Sequence, residues 1–547
     1  MPIAVTGLAA LFPGGSGPDD FWRTIVSGKD CLTDVPDTHW LIDDYYDPDP
    51  AKPGKTYTRR GAFLSPVFFE PLEHGIPPSQ APSTDTAQLL ALMVAKQLIE
   101  SSCGLDFRRI DRERISVILG VASATELVGT MSGSLQRPVL EDVLRESGIP
   151  IEEAAMICGR FGERYVEWTE STFPGLLGNV VAGRIANRFD LGGTNCVIDA
   201  ACASTLGAVQ MGMQELWCGA ADMVITGGVD AINDIFMFMC FSKTFAMSRS
   251  GDCRPFDAHA DGTMLGEGVG MFALRRLEDA ERDGDRIYAV LRGIGSSSDG
   301  RAKSIYAPRP EGQARALRRA YEAAGYGPAT VGLLEAHGTG TPAGDAAELT
   351  ALREVFGADG AALRQHCALG SVKSQIGHTK AAAGSASLYK TVMALHHKVL
   401  PPTIKVNEPN PALELDQNGF YINTKLRPWI HGEDHPRRAA VSAFGFGGSN
   451  FHLTLEEYNG TAPRPPRVLS RATELCLVSA ATGPEAIRLA TELASRAQAD
   501  GFAYAAKESQ KAFSRESACR LAIVASDAAD LAGKIDHAKS AIRSGTD

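Results

Sequence analysis

The chain has 547 residues, of which 44% are apolar and 22% charged, with a formal net charge of −11. That balance fits a soluble globular protein of more than one domain, and it argues against a nucleic-acid surface, which needs a clustered basic stripe. The eleven cysteines show no CxxC pairs or metal-type spacing, and no apolar run reaches the ~18 residues of a membrane span, so a reducing cytoplasm, no metal and no membrane are expected.

In chain order, MPIAVTGLAALFPGG opens without a basic leader as a strand running into a Gly/Pro loop. The basic run FRRIDRER (107–114) is interleaved with acids and reads as a solvated helix end. Short β-branched runs follow: RISVILGVA (114–122), CVIDAA (196–201), DMVITGG (222–228), VGLLEAHG (331–338) and CALGSV (367–372). Helices are predicted over 203–217, 311–324, 345–356 and 379–397. This alternation predicts an α/β sandwich with buried sheets. No GxGxxG follows the first strand and no Walker-type lysine loop is present, so nucleotide binding has no support.

CVIDAACASTLGAVQMGMQEL and CALGSVKSQIGHTKAAAGSASLYKTVMAL echo one another as strand, turn and small-residue helix. One unit carries Cys202 and the other His378, which suggests a duplicated architecture with one site between its halves. After FHLTLEEY (451–458), the Pro/Gly/Arg stretch NGTAPRPPR reads as a linker. Strands over 474–480 and 519–526 and helices over 483–498 and 528–542 then form a small α/β appendage. Its apolar surface is expected to be too small for an independent core.

Four stretches carry candidate chemistry. In DAACAS, Cys202 stands at the start of a helix, where the dipole favours a thiolate and small neighbours admit a substrate carbonyl. The alternative is an inert buried cysteine. In EAHGTGTPAGDAAE, His337 ends an apolar strand above a Gly-rich loop, as a catalytic group or a turn residue. GSVKSQIGHTKAAAG adds His378 and Lys373, the latter either a surface lysine or a buried ammonium paired with Asp345 or Glu348. FGFGGSN, between two strands, is a plain hairpin or a turn that aims an N–H at an oxyanion.

In this order the four stretches resemble the β-ketoacyl synthase family, the ketosynthases of fatty-acid and polyketide synthases. The resemblance covers about residues 1–458 and includes DPDPAKPGKTYTRRGAFL (47–64) and RPFDAHADGTMLGEGVG (254–270). Residues after 459 resemble the ketosynthase-to-acyltransferase linker of type I megasynthases. FSKTFAMSRSGDCRPFDAHADG, SIYAPRPEGQARALRRAYEAAG and HHKVLPPTIKVNEPNPAL are most similar to the iterative ketosynthases of enediyne and polyunsaturated fatty-acid synthases, with a modular polyketide ketosynthase as the alternative. A non-condensing Cys-His acyltransferase and an idle dimerisation scaffold are the remaining readings.

The resemblance implies a thiolase-like fold, with halves of about 1–255 and 256–458 in an α-β-α-β-α sandwich and a linker-like segment over 459–547. It implies decarboxylative Claisen condensation with Cys202 as nucleophile, His337 and His378 at the enolate, and Lys373 tuning them with Asp345 and Glu348 in support. The backbone N–H groups of Cys202 and Phe446 would hold the oxyanion. Implied partners are an acyl carrier protein, whose phosphopantetheine arm presents the substrates, a second copy of the chain and a downstream acyltransferase. No cofactor bound by the domain itself is implied. Phe236, Phe238 and Phe241, in NDIFMFMCFSKTFAM (233–247), together with Phe444 are expected at the acyl tunnel or its gate, with plain core or dimer packing as the alternative for that segment.

Overall fold

IAVTGLAAL forms strand β1 (Ile3–Leu11), with all nine residues buried, the pattern of a strand covered on both faces. The remaining main-sheet strands of the first half are β2 (Ile115–Val121), β3 (Asn195–Ile198), β4 (Met223–Asp230) and β5 (Gly268–Arg276). Those of the second half are β6 (Ala289–Ser298), β7 (Leu333–Glu335), β8 (Cys367–Gly370), β9 (Phe420–Ile422), β10 (Arg438–Gly445) and β11 (Ser449–Glu457). The computed structural model describes residues 1–547 except 16, 103–109, 123–124, 302–303, 358–364, 416–417, 465–472, 500 and 545–547. It contains two units, Met1–Pro465 and Pro466–Asp547.

In the first unit the strands hydrogen-bond in the order β9-β8-β7-β10-β11-β6-β1-β5-β4-β2-β3. The order is a duplication. Chain order β1 to β5 becomes sheet order 1-5-4-2-3, and β6, β7, β8, β10 and β11 repeat that permutation with β9 added outside β8. The pairing senses repeat as well. β2 pairs parallel with β3 and β4, as β7 does with β8 and β10, while β4–β5 and β10–β11 are antiparallel. Because β5 belongs to the first half, the halves join between Arg276 and Ala289, later in the chain than the position near 255 expected from sequence. Equivalent strands carry the chemistry: Cys202 follows β3, and Lys373 and His378 follow its counterpart β8.

Helices α1 (Thr86–Gln97) and α2 (Val180–Phe189) cover one outer face, where Leu92, Val94 and Ile185 pack on Val117 and Leu119. α3 (Ser204–Trp217) continues from the Cys202 turn, and α4 (Ile235–Lys243) follows β4. α5 (Pro310–Ala324) and α6 (Pro342–Phe356) cover the other outer face through Leu317, Leu349 and Leu352 against Leu334 and Leu369. α7 (Ala383–His397) is buried along its whole length and touches α3 and strands of both halves. Helix, sheet, central helices, sheet and helix give the five-layer sandwich. The small residues of α3 and α7 have a packing reason: a Cβ on Gly384 would lie 2.8 Å from that of Thr205.

Four further helices, Thr125–Leu135, Arg137–Glu146, Ile151–Gly162 and Thr172–Leu176, were not evident from sequence. Of the basic run at 107–114, positions 107–109 lie outside the described residues, and Arg114 ion-pairs with Asp222. Among the described residues no helix is long and apolar enough to cross a membrane.

The second unit pairs β12 (Glu474–Ala480) antiparallel with β13 (Cys519–Ala525). Its helices are α8 (Gly483–Ala499), α9 (Phe502–Ala512) and α10 (Ala528–Ser544), of which α9 was missed in the sequence reading. The expectation that this segment lacks a core is corrected. Cys476, Val478, Leu493, Ile523, Leu531 and Ile535 bury one another with a set of alanines, because the additional helix closes over the ribbon.

Candidate active site

At the end of β3 the chain turns sharply. Ala201 adopts a left-handed φ of 50°, and the turn is closed by Ala201 N donating to Asp199 Oδ1 at 2.9 Å and Ser204 Oγ donating to Ala201 O at 2.6 Å. Cys202 sits on the following 3-10 turn, Ala201–Ala203, immediately before α3. Cys202 is buried, 8% exposed as a residue, and the Phe446 N–H acts on its thiol to favour the thiolate. The sequence reading of a helix-lowered thiol is corrected: burial pushes the Cys202 thiol above its usual range, and Phe446 N–H, Lys373 and Lys380 oppose the rise only in part.

Phe446 lies in the turn between β10 and β11, where Gly447 and Gly448 take φ of 89° and 83°. Gly445 is required for another reason, since a Cβ there would stand 2.2 Å from Ala200 O. The turn therefore presses directly on the Cys202 elbow. The Phe446 ring points the other way, 47% exposed and stacked on Tyr306 at 5.8 Å.

His337 leaves the end of β7, and His337 N and Gly338 N each donate at 2.8 Å to one oxygen of Glu348 on α6. Asp345, one turn earlier on α6, accepts from Phe256 N at 2.8 Å and Gly340 N at 3.2 Å. Burial raises Asp345 to about 6 and Glu348 to about 7. Lys373 is 2% exposed and donates from Nζ to His337 O at 2.6 Å. Among the described residues no ion pair joins it to Asp345 or Glu348, a correction to the sequence reading, because both carboxylates are occupied by backbone N–H groups. Burial lowers the Lys373 ammonium from its ordinary value.

The rings of His337 and His378 stand 5.5 Å apart and nearly perpendicular, and Phe444 lies 5.7 Å from His337. Burial, with Lys373 nearby, holds both imidazoles well below their ordinary pKa, so both are neutral at physiological pH. Lys380 N donates to His378 Nδ1 at 3.0 Å, which places the His378 proton on Nε2. The site thus offers a thiol, two neutral imidazoles, a buried ammonium and a backbone N–H facing the sulfur.

The segment 233–247 is placed differently. Phe238 is fully buried in a cluster with Trp40, Tyr57, Met247 and Leu265, with Phe241 packed against it, while Phe236 is 57% exposed. Of the four phenylalanines expected at the tunnel, Phe444 is the one in ring contact with a histidine of the site.

The comparisons with known proteins decide the family. Residues 1–280 match the β-ketoacyl synthase N-terminal domain, 288–407 its C-terminal domain, and 409–520 the ketoacyl-synthetase C-terminal extension. The chain belongs to the β-ketoacyl synthase family. It has the thiolase-like ketosynthase fold with duplicated halves and a C-terminal accessory region, and it is a condensing enzyme of the acyltransferase class. An oxazolomycin ketosynthase domain from Streptomyces albus superposes with a TM-score of 0.75 at 31% identity, covering 98% of this chain and 88% of that one. The ketosynthase from module 6 of the Bacillus subtilis bacillaene synthase gives 0.73 at 30%, covering 99% and 85%. Among full-length relatives, a polyunsaturated fatty acid synthase subunit from Thraustochytrium sp. is 44% identical over 460 residues, and polyketide synthase GfsA of Streptomyces halstedii is 36% identical over 500. These alignments cover 83% and 90% of this chain but only 16% and 6% of those proteins.

Sequence reasoning missed several groups behind the site. Glu335, two residues before His337, pairs with Lys390 on α7 at 2.6 Å with both side chains buried, and its other oxygen accepts from Val372 N at 2.6 Å. Asp230 and Lys380 form a second buried pair at 2.6 Å. The available signal was an acid ending an apolar strand and a lysine inside a small-residue helix.

Proposed function

We propose that this chain is the ketosynthase of a type I polyketide megasynthase, joining a Cys202-bound acyl chain to malonyl carrier protein by decarboxylative Claisen condensation. The observation that supports this is a single buried ammonium, Lys373, whose charge acts both on the Cys202 thiol and on two neutral histidines 5.5 Å apart. Cys202 Sγ gives up its proton and attacks the acyl thioester of the carrier protein. The new C–S bond replaces the old one, and the pantetheine thiol leaves with the proton. Malonyl thioester then enters and loses carbon dioxide. The electron pair of the broken C–C bond moves into an enolate whose oxygen accepts from His337 and His378. Because both imidazoles are neutral, they act as hydrogen-bond donors rather than imidazolium acids. The enolate carbon attacks the Cys202 thioester, the tetrahedral oxyanion accepts from the backbone N–H groups of Cys202 and Phe446, and collapse expels the thiolate.

The modular reading is supported by the bacillaene module 6 and oxazolomycin ketosynthases, and polyketide synthases at 34–37% identity support a polyketide synthase more broadly. The iterative polyene reading is favoured by one observation, the 44% identity to the polyunsaturated fatty acid synthase relative. The acyl carrier protein, a second copy of the chain and a downstream acyltransferase are the partners of either. The test is mass spectrometry of the purified chain with acyl- and malonyl-carrier protein. The acyl group should appear on the Cys202 peptide and the β-ketoacyl product on the carrier. Label on Cys196 or Cys240, or acylation surviving in Cys202→Ala, would overturn the assignment.

A further inference from the structure

Lys380, two residues beyond His378, takes a left-handed φ of 45°, a conformation uncommon outside glycine. Its ammonium is turned inward, with the side chain 7% exposed. It is held by Asp230 Oδ1 at 2.6 Å, by Asn233 Oδ1, and by Gly266 O at 3.3 Å, which accounts for all three N–H donors. The second Asp230 oxygen accepts from Ala381 N at 3.0 Å. Asp230 therefore grips the side chain of one residue and the backbone of the next, bracketing the turn. What this turn presents is the Lys380 N–H, 3.0 Å from His378 Nδ1. The backbone of His378 is fixed separately, by His378 N donating to Met264 O at 2.6 Å and Gly266 N donating to His378 O at 3.0 Å. Gly266 serves both restraints, since its carbonyl also accepts from Lys380 Nζ.

We propose that the Lys380–Asp230 ion pair is a positioning device for His378: it anchors the left-handed turn whose amide holds the imidazole proton on Nε2, facing the reacting thioester. The inference rests on the reading of His378 as a donor to the enolate. Neither Lys380 nor Asp230 needs to touch substrate. A pair that only stabilised the fold would shift the melting temperature and leave the His378 tautomer untouched, so the two roles separate experimentally.

The experiment uses the full chain labelled with [15N]histidine, with the His378 signals assigned from a His378→Gln variant. In the wild type, Nδ1 should be the unprotonated ring nitrogen; a protonated Nδ1 there overturns the inference without any variant having to fold. In Lys380→Met and, separately, Asp230→Asn, the His378 signals should move toward a mixture of tautomers. Condensation should then fall ~10-fold or more, while self-acylation of Cys202 changes less. Unchanged His378 signals in a folded variant overturn the inference whatever the activity. Changed signals with undiminished condensation uphold the positioning and overturn instead the role given to His378 in the reaction.

Discussion

Lys373 Nζ donates to the backbone carbonyl of His337 at 2.6 Å, so the buried ammonium beside the two histidines is fixed by peptide backbone rather than by a carboxylate. Its charge opposes the burial that raises the Cys202 thiol and adds to the burial that lowers both imidazoles. In Lys373→Met, the pH profile of Cys202 alkylation should therefore move to higher pH, and the imidazoles should titrate nearer neutrality. An alkylation profile identical to wild type would remove Lys373 from the electrostatics of the thiol.

Gly445→Ala tests the oxyanion turn. The added Cβ would meet Ala200 O at 2.2 Å, a backbone atom that cannot swing aside, so the Phe446 N–H should be pushed off the sulfur. Loss of one such donor costs about 10²-fold in rate. Self-acylation measured by intact mass should fall by about that factor, and wild-type acylation would show that the turn is not the oxyanion donor.

Glu348 links stability to pH. Burial raises it from 4.5 to about 7, so the folded chain holds this proton more tightly than the unfolded chain. The stabilisation is complete below about 4.5 and is lost as pH rises through about 7. Across that window the melting temperature of wild type should drop more than that of Glu348→Gln. Asp345, raised to about 6, adds a fall of the same sign to both proteins, so the difference isolates Glu348. Condensation should also be weaker in Glu348→Gln, because a carboxamide oxygen accepts from His337 N or Gly338 N while its NH2 opposes the other. Parallel stability curves for the two proteins would show that Glu348 does not titrate in this range.

β3 ends the sheet, and its pairing with β2 leaves a definite outer edge. Val117 N donates to Thr194 O, so in this parallel register Asn195 and Val197 turn their N–H and C=O groups outward. Pairing of two copies along this edge is the homodimer the family resemblance implies. Val197→Pro removes an outward donor without breaking the β2 ladder. It should convert a dimer to a monomer in sedimentation velocity, with the circular dichroism retained. A wild-type monomer at micromolar concentration would count against the dimer itself.

Cys202, His337, Lys373, His378 and Phe446 could be singled out as candidates from the sequence, because each lies in a short motif whose turn chemistry and strand-end position are local. The same holds for the strands at 115–121 and 474–480, whose short apolar runs need no distant partner to be recognised. The helices Arg137–Glu146 and Ile151–Gly162 were missed although their apolar residues recur at helical spacing; few of those residues are buried, so the pattern belongs to a largely exposed face and not to a core helix.

What the amino-acid order determined by itself was the alternation of strands and helices, the small residues that let α3 and α7 pack closely, and the choice of candidate reacting groups. The tertiary structure alone decided their chemical state. Whether Cys202 is a lowered or a raised thiol depends on how completely the sheets and the β10–β11 turn enclose it. Lys373 meets a carbonyl, and not Asp345 or Glu348, because α6 has already committed both acids to the His337 loop. Lys380 finds Asn233 at a separation of 147 residues, and Asp230 lies in the same remote segment. Desolvation and buried pairing are set by what the completed fold brings within a few ångströms, and no local window of the chain contains both partners.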